Sequence, residues 1–412
     1  MKISIPFARS LGMVLLAVYV AFGVRYALYT PARSATFLWG VYHVHSTASD
    51  GLESAEEIAR QARAAGVSLI LMTDHRDPHL KLAAFRKEIE GVVVVGGSEV
   101  RLPEGRLTIF GTEDAPQFHL SSFPPAAMED IRARGGFPVV AYPDDALFGW
   151  HYWGADLNPS GIEILNLFTS LRSSSFLNKV GLALFYPFSH YYFLKSISFP
   201  EESIAHWDKF LETSKTWGFV ATDAHGGFHL GRFAANLPSY TDSFSFVGLG
   251  IDKRYAAEPE MAIRRGDFFN CIRGAGEPDS FEFNATNANE EFSAGSTAPV
   301  GSALHARVEI ENHAVRLVLK KDGATLSEVA GNALDVPSAE PGVYRVEAYL
   351  PRHELLPPNV PWIVSNPIFI GTIPPRPRES NRFARHEAAL TQHDADVVSG
   401  AVVGERNIGR AR

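Results

Sequence analysis

The sequence of 412 residues has a single cysteine, Cys271. It can form no internal disulfide and no cysteine-rich zinc site, so any metal must be held by histidine and carboxylate side chains. Positive charge is also short: 38 Lys and Arg face 46 Asp and Glu, a net charge of −8. A nucleic-acid binder needs clustered Lys and Arg to release counterions, so no nucleic-acid partner is expected. Charge is missing altogether from Leu11 to Val24, between Lys2 and Arg9 on one side and Arg25 on the other. That run reads as an export signal or a single membrane anchor over residues 1–34. No small-x-small cleavage site follows it at once, which favours an uncleaved anchor. Lys2 and Arg9 would then keep the N-terminus inside and place the rest outside the cytoplasm, periplasmic or extracellular. The alternatives are a secreted protein and a buried N-terminal helix.

What is present is a large apolar fraction, 46%, with 20% charged residues, as in a globular chain of two or three units. Near-continuous apolar runs recur at Leu38–Val44, Leu69–Thr73, Val92–Val95, Leu107–Phe110, Val139–Ala141, Ile162–Leu165 and Phe219–Thr222. Such runs suit parallel strands buried on both faces. Helical segments lie between them. One is opened by Ser54 and Glu57 as a capping box and closed by Gly66; a second runs from about Pro125 to Gly135-Gly136; a third runs from Pro200 to about Trp217. The pattern predicts a closed or nearly closed (β/α) barrel over residues 35–278. Leu167–Pro200 is an aromatic insertion with few charges, which predicts a lid, a wall for an apolar substrate, a membrane-touching patch or ordinary core. From about Asp279 the runs alternate apolar and polar, with turns at Asp322-Gly323 and Pro341-Gly342, which predicts a small β-sandwich over residues 279–372. The polar remainder, 373–412, reads as a disordered tail.

Four acid–histidine clusters stand where apolar runs end. They are His43-Val44-His45 with Asp50, Thr73-Asp74-His75, Gly96-Gly97-Ser98-Glu99, and Asp223-Ala224-His225. His43 and His45, at i and i+2 of a strand, share a face. Any one of these residues is more often structural than a ligand; four clusters at successive strand ends supply the imidazole and carboxylate mixture that zinc, manganese or iron accept. Over residues 39–275 these motifs resemble the PHP (polymerase and histidinol phosphatase) superfamily of metal-dependent phosphoesterases. The resemblance implies a distorted seven-stranded (β/α) barrel. It implies that His43, His45, Glu99 and Asp223 bind one divalent ion and that Asp50, His75 and His225 bind a second. One motif departs: Ala141-Tyr142-Pro143 stands where the family has Ala-His-Pro, so two metals are expected rather than three. Asp144, Asp145 and His151 lie close by in sequence, with surface-loop solvation as their expected role, and Glu163 and Asn166 are candidates for supporting the ligands. Ala262–Gly266 and Trp362–Pro367, with the β-domain, resemble the carbaryl-hydrolase-like branch more narrowly.

The chemistry expected is hydrolysis by a metal-activated water, with Asp223 or His225 moving the proton and Arg76, Arg101 or Tyr142 touching substrate. The substrate would be a small-molecule or lipid-linked phosphate ester. The alternatives are a carbamate, ester or amide hydrolase with the same metals, and a non-catalytic membrane-anchored binding protein.

Overall fold

The computed structural model describes residues 5–76, 85–111, 120–230, 233–235 and 237–371. The expected disordered tail lies outside the described residues.

Six helices and nine strands position the site. The helices are α1 (Ile5–Ala27), α2 (Ala55–Ala64), α3 (Pro124–Ala133), α4 (Leu167–Ser173), α5 (Phe176–Phe185) and α6 (Glu201–Leu211). The strands are β1 (Leu38–Val44), β2 (Val67–Met72), β3 (Val92–Leu102), β4 (Gly105–Phe110), β5 (Phe137–Ala141), β6 (Gly161–Asn166), β7 (Trp217–Ala221), β8 (Gly248–Ile251) and β9 (Phe268–Cys271). β1, β2 and β3 pair in parallel, as do β5, β6 and β7. β4 runs antiparallel to both β3 and β5. The expectation of parallel strands with interposed helices fails there for a simple reason. Only Pro103 and Glu104 separate β3 from β4, and so short a turn can join only antiparallel neighbours.

Among the described residues no closed barrel is seen. β7 meets β1 through one isolated bridge, Val44 to Ala224, rather than a strand ladder. Backbone bonds flank it: Thr222 N–H donates to Tyr42 C=O, Ala224 N–H to His43 C=O, and His45 N–H to Ala224 C=O. On that same edge, opposite β2, β1 pairs antiparallel with β8, and β8 with β9. β9 then pairs with Ile363–Ser365, so part of the C-terminal β-region extends the main sheet. The expected sandwich region thus divides, because Ser280–Asn287, Glu290–Ser293, Ala303–Glu309 and Ala333–Val336 form a separate four-stranded sheet.

Tyr42, Phe110, Phe137, Phe219 and Phe268 fill the core under the site, with Tyr42 and Phe219 ring centres 5.0 Å apart and Phe110 and Phe137 4.9 Å apart. Each such ring contributes about 1.5–3 kcal/mol by leaving water. At α2 half of the expected capping box forms: the Ser54 hydroxyl accepts from Glu57 N–H while the Glu57 carboxylate pairs with Arg60, and Gly66 follows the helix at φ +71°. α6 ends at Leu211, shorter than expected. Trp217 and Gly218 belong to β7, and the Trp207 indole N–H reaches across to Thr216 C=O.

Candidate metal centre

Three non-glycine residues around the cluster have left-handed backbone: His43 at φ 64°, Tyr142 at φ 52° and Asp223 at φ 48°. His43 sits at a shift in the β1–β2 register, and Tyr142 and Asp223 follow the ends of β5 and β7. Each such conformation costs on the order of 1–3 kcal/mol and persists only where the surroundings impose it. Around His43 they do: its C=O accepts from both Ala224 N–H and the Thr222 hydroxyl. The turn carrying Asp50 is fixed by Asp74, which accepts from Ser46 N–H and from the Ser46 and Ser49 hydroxyls. Gly51 closes that turn so tightly that a Cβ would lie 2.3 Å from His45 O.

The fold brings together all seven side chains expected as metal ligands. Glu99 Oε2 is the shared atom: it lies 3.2 Å from His43 Nε2, 3.3 Å from His45 Nε2 and 3.2 Å from His75 Nδ1. Asp223 Oδ1 lies 3.5 Å from His43 Nε2 and 3.5 Å from His45 Nε2. Asp50 stands 3.3 Å from His75 Nε2, 3.4 Å from His225 Nε2 and 3.6 Å from His45 Nδ1. Two overlapping groups result: His43, His45 and Glu99, all buried, and His45, Asp50, His75 and His225, open to solvent through Asp50. A neutral imidazole has one lone pair to offer, so His45 can serve one group at a time.

Burial works against the charged form of all three carboxylates, but the imidazoles outweigh it. His225 and His75 do so for Asp50, His43 and His45 for Glu99, and His43 foremost for Asp223, so all three are held below the usual carboxylate range. Burial pushes the His225 ring down, and Asp50 and Asp223 bring it up to about 8. Burial raises the Tyr142 phenol, and Asp223 and Glu99 raise it further, so it stays neutral.

The arrangement fits a metal. His45 Nδ1 and Nε2 and Asp223 Oδ1 are buried without a hydrogen-bond partner among the described residues, although a buried polar atom left unpaired is costly. The imidazole–carboxylate separations exceed the roughly 2.7–2.9 Å of a charge-assisted hydrogen bond. They match the edges, about 3.3 Å, of a tetrahedron of ligands about 2.0–2.1 Å from a central ion.

A supporting layer was only partly legible. Glu163 Oε1 lies 2.5 Å from His43 Nδ1, while Glu163 Oε2 accepts from Tyr142 N–H and the Asn166 amide. Glu163 therefore holds the proton on Nδ1 and turns the Nε2 lone pair to the centre. Tyr142, expected to touch substrate, is buried and donates its hydroxyl to Asp223 Oδ2 at 2.7 Å. Arg76 bonds to Ala48 and His75 carbonyls and shares with Arg101 the rim of a cavity of about 300 Å³. Arg106, which sequence reasoning missed, lines it too and bonds Glu99 Oε1 at 2.7 Å. The clue was the short β3–β4 turn, which sets Arg106 opposite Arg101 and two positions from Thr108, the partner of Glu99, hence on the same face of the sheet. Asp144 and Asp145 are not solvated loop charges. Asp144 accepts from Ser203, and Asp145 caps Leu147 and Phe148 N–H. His151 N–H donates to Glu104 C=O outside the cluster.

No family model matches the sequence, and no curated protein matches it. Among solved structures it is similar to a two-domain protein from Bacteroides vulgatus containing a predicted PHP-like metal-dependent phosphoesterase (TM-score 0.38, 14% identity, 82% of this chain and 98% of that one). It is also similar to a Bifidobacterium adolescentis protein proposed to be a metal-dependent phosphoesterase (TM-score 0.30, 11% identity, 50% and 94%). A third is an amidohydrolase from Chromobacterium violaceum (TM-score 0.26, 14% identity, 45% and 87%).

Proposed function

We propose that the chain is a metal-dependent hydrolase, most directly a phosphoesterase, held at a membrane by α1. The observation that carries this reading is the convergence of four imidazoles and three carboxylates with the nitrogens of His45 and Asp223 Oδ1 left unpaired. In the proposed assignment His43, His45, Glu99 and Asp223 would hold one divalent ion, and Asp50, His75 and His225 would hold another. Bound ions of this kind supply Lewis acidity and make hydroxide available near neutral pH; manganese, zinc and iron all suit the donor set.

The chain's own residues do the rest. Glu163 and Tyr142 orient His43 and Asp223. The Asp223 carbonyl accepts from His225 Nδ1–H at 2.9 Å, which fixes the tautomer and leaves the Nε2 lone pair beside Asp50, available to an ion. Arg76, Arg101 and Arg106 around one cavity favour a substrate with anionic oxygens, which an ester of phosphate has and a neutral carbamate lacks.

The test is a hydrolysis panel of p-nitrophenyl phosphate, bis-p-nitrophenyl phosphate and a naphthyl carbamate, each with manganese, zinc or iron. Turnover of a phosphate ester alone supports the reading. Turnover of the carbamate alone replaces it with a carbamate, ester or amide hydrolase. Metal uptake without turnover of any of the three points to a non-catalytic binding protein.

A further inference from the structure

The insertion between β6 and α6 leaves apolar side chains uncovered. On α5, Phe176 and Leu177 are each 78% exposed, Leu184 46% and Val180 38%. At about 100° per residue these four positions fall within an arc of about 100°, so they form one stripe. The opposite side is used: Gly181 is buried where a Cβ would lie 2.5 Å from the Tyr192 hydroxyl, and Phe185 stacks at 5.3 Å on Tyr192. Lys179 flanks the stripe, with its ammonium on Arg172 C=O.

What lies beside this stripe identifies its occupant. α1 is the one described helix long and apolar enough to cross a membrane, and its window Ser10–Ala27 is only 6% buried. It touches the insertion with Tyr19, Gly23 and Tyr26, spaced i, i+4, i+7. Tyr19 lies 5.7 Å from Phe185 and 5.4 Å from Phe188, ring to ring, and its hydroxyl donates to Leu184 C=O. Gly23 takes the Phe188 ring so closely that a Cβ would lie 2.7 Å from it, and Tyr26 packs on Phe185 and Tyr192. Arg25, near the end of α1, pairs with Glu354 and marks the level of the water boundary. At about 1.5 Å per residue Tyr19 lies roughly 9 Å from Arg25 along the axis. That is the depth, about 5–10 Å, at which an in-plane amphipathic helix rests. Tyrosines and lysines around it are the side chains that favour this boundary.

We infer that α5 is a second membrane contact, a helix in the plane of the bilayer that α1 crosses, with Phe176, Leu177, Val180 and Leu184 among the upper acyl chains. The inference rests on reading α1 as a membrane span. It ties the candidate centre to the lipid surface: α4, which leads into α5, is capped by Asn166, whose amide also bonds Glu163 beside His43.

The test uses the full-length protein in phosphatidylcholine–phosphatidylglycerol vesicles, with an environment-sensitive fluorophore on Leu177→Cys, Val180→Cys or Leu184→Cys in turn. Cys271 is fully buried and its thiol is pushed up by that burial, so it stays unlabelled. Val14→Cys reports on α1 and Leu326→Cys on an exposed site of the β-region, 59% and 50% exposed respectively. The inference predicts that lipids spin-labelled near the headgroup quench positions 177, 180 and 184, with several-fold less iodide quenching than Leu326→Cys. If these positions instead match Leu326→Cys while Val14→Cys is quenched by lipid, the inference falls and the anchor stands. If Val14→Cys is also open to iodide, the anchor reading fails and takes the inference with it. Shielding of the α5 positions from both quenchers would mean that protein covers the stripe, which also overturns it.

Discussion

Glu163→Gln isolates the part of the account that rests on a single proton. Glu163 and His43 have no side-chain exposure, and Glu163 Oε1 sits 2.5 Å from His43 Nδ1. Two donors, Tyr142 N–H and the Asn166 amide, point at Oε2. In the variant they pin the amide oxygen at that position, which turns the NH₂ group towards His43 Nδ1. Two donors cannot face each other, so the ring must carry its proton on Nε2, the nitrogen 3.2 Å from Glu99 Oε2. A ligand lone pair is thereby lost although no ligand has been replaced. Removing such an orienting partner costs about 10- to 100-fold in metal affinity, about 1.4–2.7 kcal/mol. Competition against a chromophoric chelator measures the affinity, and circular dichroism confirms that the variant is folded. A folded Glu163→Gln protein with wild-type metal affinity would refute the reasoning.

Tyr142→Phe removes only the hydroxyl that holds Asp223 Oδ2, so titration calorimetry should show metal affinity falling by a few-fold, in line with about 0.5–1.5 kcal/mol for one hydrogen bond. Gly51→Ala puts a Cβ 2.3 Å from His45 O, and thermal denaturation should show a loss of about 1–3 kcal/mol together with weaker metal binding through displaced Asp50. Glu277 bonds Arg273 and Arg33. Burial works against its charge, but the two guanidiniums hold its carboxyl below the ordinary value. A depressed folded-state value means that the stabilisation is complete above the unfolded pKa, about 4.3, and is lost as the pH falls through the lower folded value. Urea titrations across that range should show a steeper acid loss for the wild type than for Glu277→Gln; identical slopes would exclude the linkage.

The core strands were legible because each carries a near-continuous apolar run, and β1 matches its run end to end. Glu99 was not placed correctly. Its run stops at Val95, yet β3 continues to Leu102, because pairing with β4 and with His75–Arg76 carries Gly96–Leu102 where hydrophobicity does not. The helix expected up to Trp217 stops six residues earlier, since an apolar stretch does not show by itself where helix gives way to strand. The seven clustered side chains could be named from motifs at strand ends. The left-handed backbone at His43, Tyr142 and Asp223 could not, because long-range carbonyl contacts impose it. Nor could the role of Arg106, which lies across a hairpin from Glu99; Glu163 was named only as a candidate for supporting the ligands, without its distant partner His43.

The central claim is that this cluster is a divalent-metal centre that hydrolyses an ester of phosphate. Metal content and bis-p-nitrophenyl phosphate turnover, measured side by side on the full-length wild type and on His43→Ala, test it most directly. The account predicts that the wild type takes up divalent metal and turns over the substrate, and that His43→Ala loses metal and turnover together. Full turnover by His43→Ala at wild-type metal content would contradict it.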